Sequence, residues 1–152
     1  MPTVKPIPDG YTAVTPYLLA EDAAKLVEFI KNAFGAKVEF ESRNPAGGVM
    51  HAEVSIDGAR IMIGGTRPGV NAVPGMIYLY VADTDANYNN ALKAGATTLM
   101  APANQFYGDR NAGVKDLAGN QWYIATHVED VAPDEVNRRA QEMYKKAATQ
   151  HG

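Results

Sequence analysis

Two stretches decide the reading. The first runs Tyr17-Leu18, then Asp22, an amphipathic segment, and Phe34-Gly35-Ala36. The second runs Tyr78-Leu79, then Asp83, another such segment, and Ala94-Gly95-Ala96. Tyr17 and Tyr78 stand 61 residues apart, and Gly35 and Gly95 stand 60 apart. A period of about 60 residues exceeds that of solenoid repeats and suits a duplicated half-domain.

Local chemistry predicts the same element order in each copy. Ala13–Leu19 is β-branched and aromatic and reads as a strand. Glu21-Asp22 opens a helix with acidic residues at its positive end. Leu26, Phe29, Ile30, Ala33 and Phe34 form one apolar stripe, and Gly35 stops it. Val38 and Phe40 alternate with Lys37, Glu39 and Glu41, a half-buried strand, and Asn44–Gly48 is a turn. Strands Val49–Ile56 and Arg60–Gly64 flank an Asp57-Gly58 hairpin turn. The order is βαβββ. The second copy predicts a strand at Met76–Val81, a helix capped by Asp83 and ended by Gly95, and a strand at Thr97–Met100. A loop over Phe106–Asn111, a short strand at Gly113–Lys115, a turn at Asp116–Asn120 and a strand at Gln121–His127 complete it.

The expectation is one α+β domain over 1–152. It holds module one (12–65), a Pro/Gly linker (66–74), module two (75–128) and a C-terminal helix (132–149). That helix carries Val136, Ala140, Met143, Tyr144 and Ala147 on one stripe and must dock somewhere. Its own domain is the simpler partner, and a second subunit the alternative.

Composition excludes whole classes. The chain has 152 residues, a formal net charge of −3 and no cysteine. Disulfides, thiolate metal sites and thiol nucleophiles are therefore absent. No apolar run nears the ~18 residues of a membrane span. Lys/Arg runs stop at two, so neither a nucleic-acid platform nor a polybasic membrane patch is expected. Met1–Gly10 has three prolines and no apolar core of a secretion signal, which makes cytoplasmic the default.

Several segments carry a family resemblance. They are Thr15-Pro16-Tyr17-Leu18, Phe29 through Phe34-Gly35-Ala36, His51-Ala52-Glu53, Gln105-Phe106-Tyr107-Gly108-Asp109-Arg110, and Asp116 through Gly119 with Trp122. With two βαβββ modules, the chain resembles the vicinal-oxygen-chelate superfamily of glyoxalases, bleomycin resistance proteins and dioxygenases, in its PhnB-like branch. The resemblance implies strands curled around a cavity, helices on the convex face, and frequent homodimers. It also implies a divalent ion held at four positions that fall here at Thr15, Met62, Met76 and Tyr123. None is a good ligand for such an ion, and no residue beside them can serve instead. No cofactor is therefore expected, although a shifted divalent site around His51 and Glu53 stays open.

With a period of two, Ile61, Ile63, Ile77, Leu79, Val81, Trp122 and Ile124 should face the helices. Their alternates should line the cavity. The candidate ligand-binding set is Tyr17, Met62, Met76, Tyr78, Tyr80 and Tyr123, with Phe106 and Tyr107 as a wall and Arg110 at the mouth to hold an anion. The candidate catalytic pair is His51 and Glu53, two apart on one strand and ~7 Å apart along it. A carboxylate beside an imidazole suits acid–base work on a proton next to a carbonyl, with Tyr78 or Tyr123 bonding the oxyanion. The alternative is a structural pair of cross-strand bonds. The first reading is a metal-independent binder of an aromatic or cationic small molecule, as a homodimer. The rivals are a lyase or isomerase using His51 and Glu53, and a non-catalytic assembly protein.

Overall fold

The computed structural model describes residues 3–150, so His151, expected in a frayed end, lies outside the described residues. The chain order is β1 (Tyr17–Ala20), α1 (Ala23–Phe34), β2 (Lys37–Arg43), β3 (Val49–Ile56), β4 (Ala59–Gly65), β5 (Met76–Tyr80), α2 (Thr84–Lys93), β6 (Thr97–Asn104), β7 (Asp109–Lys115), β8 (Gln121–His127) and α3 (Pro133–Gln150). Two four-stranded sheets result, ordered β1-β4-β3-β2 and β5-β8-β7-β6. In each, the first and last strands of the module pair in parallel and the others are antiparallel. The α+β duplication stands. Among the described residues no helix is long and apolar enough to cross a membrane.

The local signals act through ordinary chemistry. Asp22 accepts a bond from the Lys25 backbone N–H at 3.1 Å, and Asp83 does the same for Ala86 at 3.0 Å. Gly35 ends α1 with φ +66°. Asp57 and Gly58 both take positive φ, the pairing a two-residue hairpin turn demands.

Two regions differ from expectation. β1 starts at Tyr17 rather than Ala13, because Pro16 has no N–H to give; only its carbonyl joins the sheet, accepting from Met62 N at 2.9 Å. In module two, β6 runs on to Asn104 and β7 already begins at Asp109. The expected loop shrinks to a turn at 105–108, closed by Gln105 N to Asp109 O at 2.7 Å. Gly108 takes φ +104°, and a Cβ there would run into the Glu129 carbonyl. Pro102 sits within β6 because that strand is an edge.

The core is one cluster shared by both modules. Trp122 of β8 is fully buried, with its ring centroid 4.8 Å from Phe34 and 6.5 Å from Phe29, both of α1. Ile61 and Ile63 of β4 and Ile124 of β8 are buried in it, and Ile77, Leu79 and Val81 pack against it. Both sheets thus turn one face to a common helical layer, and their other faces point away from it. The Trp122 Nε1–H donates to the buried Asp116 at 2.8 Å. Asp116 also accepts from the backbone N–H of Ala118 at 2.8 Å and of Asn120 at 2.9 Å. The Asn120 side-chain oxygen then accepts from Gly75 N at 2.8 Å, tying this turn to the start of β5.

The C-terminal helix does not settle on its own domain. No residue of α3 is buried, and Met143, Tyr144 and Ala147 are exposed. Its first half is held by Arg139, which donates to the Phe106 carbonyl at 3.0 Å and to Glu129 at 2.8 Å.

Replacing Asp116 by Ala would strip partners from a buried indole and two buried or half-buried amides. Urea unfolding should show a loss of about 3 kcal/mol. A loss within ~0.5 kcal/mol, the range of ordinary surface changes, would mean that Asp116 does not organise this turn.

Candidate functional site

Strand pairing aligns the two outward faces position by position. Tyr17 pairs with Met62 as Tyr78 pairs with Tyr123. Across the next strand, Glu53 and His51 lie opposite Met62 and Gly64, as Gly113 and Asn111 lie opposite Tyr123 and Ala125. Tyr17, His51 and Glu53 of module one therefore correspond to Tyr78, Asn111 and Gly113 of module two.

On the first face, the Tyr17 hydroxyl lies 3.0 Å from His51 Nδ1. The tyrosine crosses β4 to get there, and it can because position 64 is glycine. A Cβ on Gly64 would sit 2.9 Å from both Cε1 and Oη of Tyr17. His51 Nε2 lies 3.7 Å from a Glu53 carboxylate oxygen, an ionic distance rather than a hydrogen bond. If Tyr17 donates to Nδ1, the ring proton is on Nε2 and points at Glu53. Phe40 flanks the imidazole, with ring centroids 6.3 Å apart.

On the second face the centre is Asp109, only 3% exposed. One of its oxygens accepts from Tyr78 at 2.7 Å and from Tyr80 at 2.9 Å. The other lies 2.9 Å from His127 Nδ1, and His127 Nε2 lies 2.7 Å from Asp130. Asn111 donates to the hydroxyls of Tyr78 at 3.0 Å and Tyr107 at 2.7 Å, and accepts from Gln105 at 3.0 Å. Burial alone would push the Asp109 carboxyl up, yet the bonds from His127, Tyr78 and Tyr80 outweigh it and hold it below the usual carboxylate range. Burial first, and then the neighbouring Tyr107 and Asp109 against a lowering bond from Asn111, pushes the Tyr78 hydroxyl well above its ordinary value, and the Asp109 bond raises Tyr80. These phenols are locked as neutral donors.

The predicted residues are thus divided. His51, Glu53, Tyr17 and Met62 share the first face; Met76, Tyr78, Tyr80 and Tyr123 share the second. The helical layer stands between them, so Tyr78 and Tyr123 do not meet His51 within one chain, and the Tyr78 proton is committed to Asp109. Phe106 and Tyr107 stack edge to face at 5.2 Å beside the second face. Arg110 is not at a mouth. Its neighbours in β7, Asp109 and Asn111, point outward, so its own side chain turns to α2, where Asp85 grips it at 2.7 and 2.9 Å. Asp109 and His127 were missed as site residues. Asp109 lies in the segment expected as a loop over Phe106–Asn111, and only a strand period running from 109 puts it on one face with Asn111.

The sequence model of the glyoxalase/bleomycin resistance protein/dioxygenase superfamily matches residues 11–124. The chain belongs to this superfamily. An uncharacterised protein of Mycobacterium bovis is 34% identical over 135 residues, covering 82% of this chain and 89% of that one. Among solved structures, TioX from Micromonospora sp. ML1 superposes with a TM-score of 0.66 at 21% identity, covering 77% of this chain and 99% of that one. A superfamily enzyme from Burkholderia phytofirmans PsJN gives 0.62 at 16% identity, covering 75% and 97%. Both share the fold.

A superfamily metal does not fit the residues present. Thr15 and Met76 occupy one equivalent pair of positions and Met62 and Tyr123 the other, each 61 apart. The set offers one hydroxyl, two thioethers and a phenol whose ring lies over Gly113, and no carboxylate or imidazole. Among the described residues no three His, Asp or Glu side chains gather as a metal-holding group.

His127 carries a pH signature. Its bond to Asp109 first, and to Asp130 second, raises its pKa above the ordinary value. The bridge is therefore complete below about pH 6.5, the ordinary histidine value, and is lost as pH rises through the raised one. Asp109, held low, adds stability above about pH 3.9 that is lost only as pH falls through its depressed value. Unfolding free energy should decline as pH climbs above neutrality, and His127→Gln should flatten that decline. Parallel curves for the two proteins would refute the bridge.

Proposed function

We propose that this protein is a metal-independent small-molecule binder that holds a planar aromatic or cationic compound against its outward sheet faces. The observation that carries this reading is what those faces present. Tyr17, Phe40, Met76, Tyr78 and Tyr80 are between 40% and 66% exposed, large apolar surfaces that soluble proteins seldom cluster without use. The polar groups beneath the second face already have partners, so the surface offers rings and a thioether rather than open hydrogen bonds. Flat rings stack on flat rings and attract cations through their faces. Anions find little counter-charge. Arg110 is held by Asp85, and Arg60 is turned to Glu39 and the Tyr11 ring.

A second copy completes the cleft in this reading. A cleft at the edge of β5 beside Tyr78, lined by Val14, Pro16 and Arg60 and by the inward-facing Ile56, Ile61, Ile77 and Leu79, measures about 230 Å³. Ligand pockets usually span ~300–1,000 Å³, so this one falls short alone. Strand β5 pairs on one side only, and the apolar side of α3 is uncovered. The larger depression of about 470 Å³ near Glu21, Lys25 and Leu117 lies on the helical side, away from the aromatic faces.

The test pits ethidium, a planar aromatic cation, against anilinonaphthalene sulfonate, a planar anion, by fluorescence titration. Ethidium should bind, the anion much more weakly, and Tyr80→Ala should weaken ethidium about tenfold. Equal binding of both, or an unchanged Tyr80→Ala, would overturn the reading. Light scattering should give a dimer mass; a monomer at working concentration would remove the second copy from it.

A further inference from the structure

Going beyond binding, we propose that Tyr17, His51 and Glu53 form a proton relay in which the Tyr17 hydroxyl meets the substrate, a neutral carbonyl compound with a removable proton on the adjacent carbon. The internal duplication supplies the contrast that supports it. Both modules carry a tyrosine that reaches across the sheet to the same strand position. In module two that position is Asn111, an amide that cannot take up a proton at neutral pH, and Tyr78 gives its own proton to Asp109. In module one the position is His51, the side chain whose ordinary pKa lies nearest neutrality. The Tyr17 hydroxyl has that imidazole as its hydrogen-bond partner at 3.0 Å. Where module two has Gly113, module one has Glu53, a carboxylate beside the far nitrogen of the same ring. At these two equivalent positions only module one carries an imidazole and a carboxylate.

The surroundings define the substrate. Tyr17 is 48% exposed, so its hydroxyl is open to a small molecule. Phe40 offers an apolar wall beside His51. The charged groups on this face among the described residues are Glu53 and Glu39, with Lys37 and Arg60 beside Glu39, which also accepts from Ser55. Both cations are thus drawn to Glu39 rather than to the relay, and Glu53 repels an anion. A neutral carbonyl compound fits that field.

The step balances without any other reactant. A proton leaves the carbon beside the carbonyl for the Tyr17 oxygen as the phenolic proton passes to His51 Nδ1. The carbon's electron pair stays on the substrate as an enolate, and the imidazolium faces Glu53. Return of the proton to the same carbon gives exchange with solvent; where that carbon also bears a hydroxyl, transfer of the hydroxyl proton to the enolate oxygen and return of the relay's proton to the former carbonyl carbon gives the isomeric carbonyl compound. Tyr17 is the catalytic residue. His51 receives its proton, Glu53 sets the ring's tautomer, and Gly64 is a positioning residue that leaves the tyrosine its path across β4.

The experiment follows deuterium incorporation into hydroxyacetone, dihydroxyacetone and acetylacetone by NMR in heavy water, with the full chain. Wild-type protein should exchange the protons beside the carbonyl in at least one of them faster than buffer. Tyr17→Phe and His51→Gln should each lower that rate about a hundredfold. Gly64→Ala should do so while leaving the circular dichroism spectrum near wild type, because its Cβ meets only the ends of side chains, the Tyr17 ring and a Leu19 methyl, and no backbone. Glu53→Gln should lower the exchange rate and change the tautomer ratio of the His51 ring read by nitrogen-15 NMR; an unchanged tautomer ratio would remove Glu53 from the relay. Tyr88→Phe, on α2 away from both faces, should change nothing. Exchange no faster than buffer with all three compounds, or exchange that survives Tyr17→Phe, overturns the relay. Ethidium binding reads the aromatic faces separately, so the binding reading can stand if this one falls.

Discussion

The outward faces of this protein depend on the packing of Trp122 against Phe29 and Phe34, which themselves meet edge to face. The indole belongs to β8 of the second module, and the two phenylalanines to the helix of the first. Burying these three rings together commits both sheets to turn the same kind of face inward. Because side chains alternate along a strand, the other face of each sheet is then outward without choice. A buried indole also needs an acceptor, and Asp116 provides it while gathering the turn that aims β8. Packing and polar satisfaction thus act at one point, and two aromatic faces are their consequence.

Duplication set up those faces, and divergence made them different. A tyrosine on the first strand of each module reaches across its parallel neighbour. In the second module it ends in a closed network around Asp109, whose carboxylate oxygens together meet two phenols and an imidazole. Such a network is rigid, and its donors are already committed. In the first module the tyrosine ends at an imidazole with a carboxylate behind it at an ionic distance. The same backbone therefore carries a closed polar network on one side and, on the other, a tyrosine–histidine pair with a carboxylate at an ionic distance. Superfamily membership does not distinguish them, since the scaffold hosts many chemistries and function resides in the side chains placed on it.

Much of this was readable in advance. Caps, glycine stops and the Asp57-Gly58 turn are local signals, and they marked the helices and hairpins correctly because each acts within a few residues. The shared face of His51 and Glu53 follows from a period of two along one strand. The errors arose where local chemistry was ambiguous or a partner lay far off in sequence. Asp109 follows a glycine and precedes an arginine, which reads as a turn; its partners Tyr78, Tyr80 and His127 lie 18 to 31 residues away. Arg110 looked available for an anion until Asp85, 25 residues earlier, was found holding it. The stripe on α3 is real, but amphipathicity states only that a helix has an apolar side, not what covers it.

The sequence by itself determined the duplicated βαβββ order, the superfamily and most of the sorting into inward and outward sets, because each rests on short-range spacing and on a repeat visible by eye; Phe40, expected on the buried side with Val38, turns outward because a register shift falls between them. Tertiary structure alone decided which outward residues meet. It put Tyr17 over Gly64 and onto His51, drew Tyr78 and Tyr80 to Asp109, and separated the two faces by a layer of helices. Those pairings depend on strand register and on a missing Cβ in a neighbouring strand, distances that no spacing along one chain encodes.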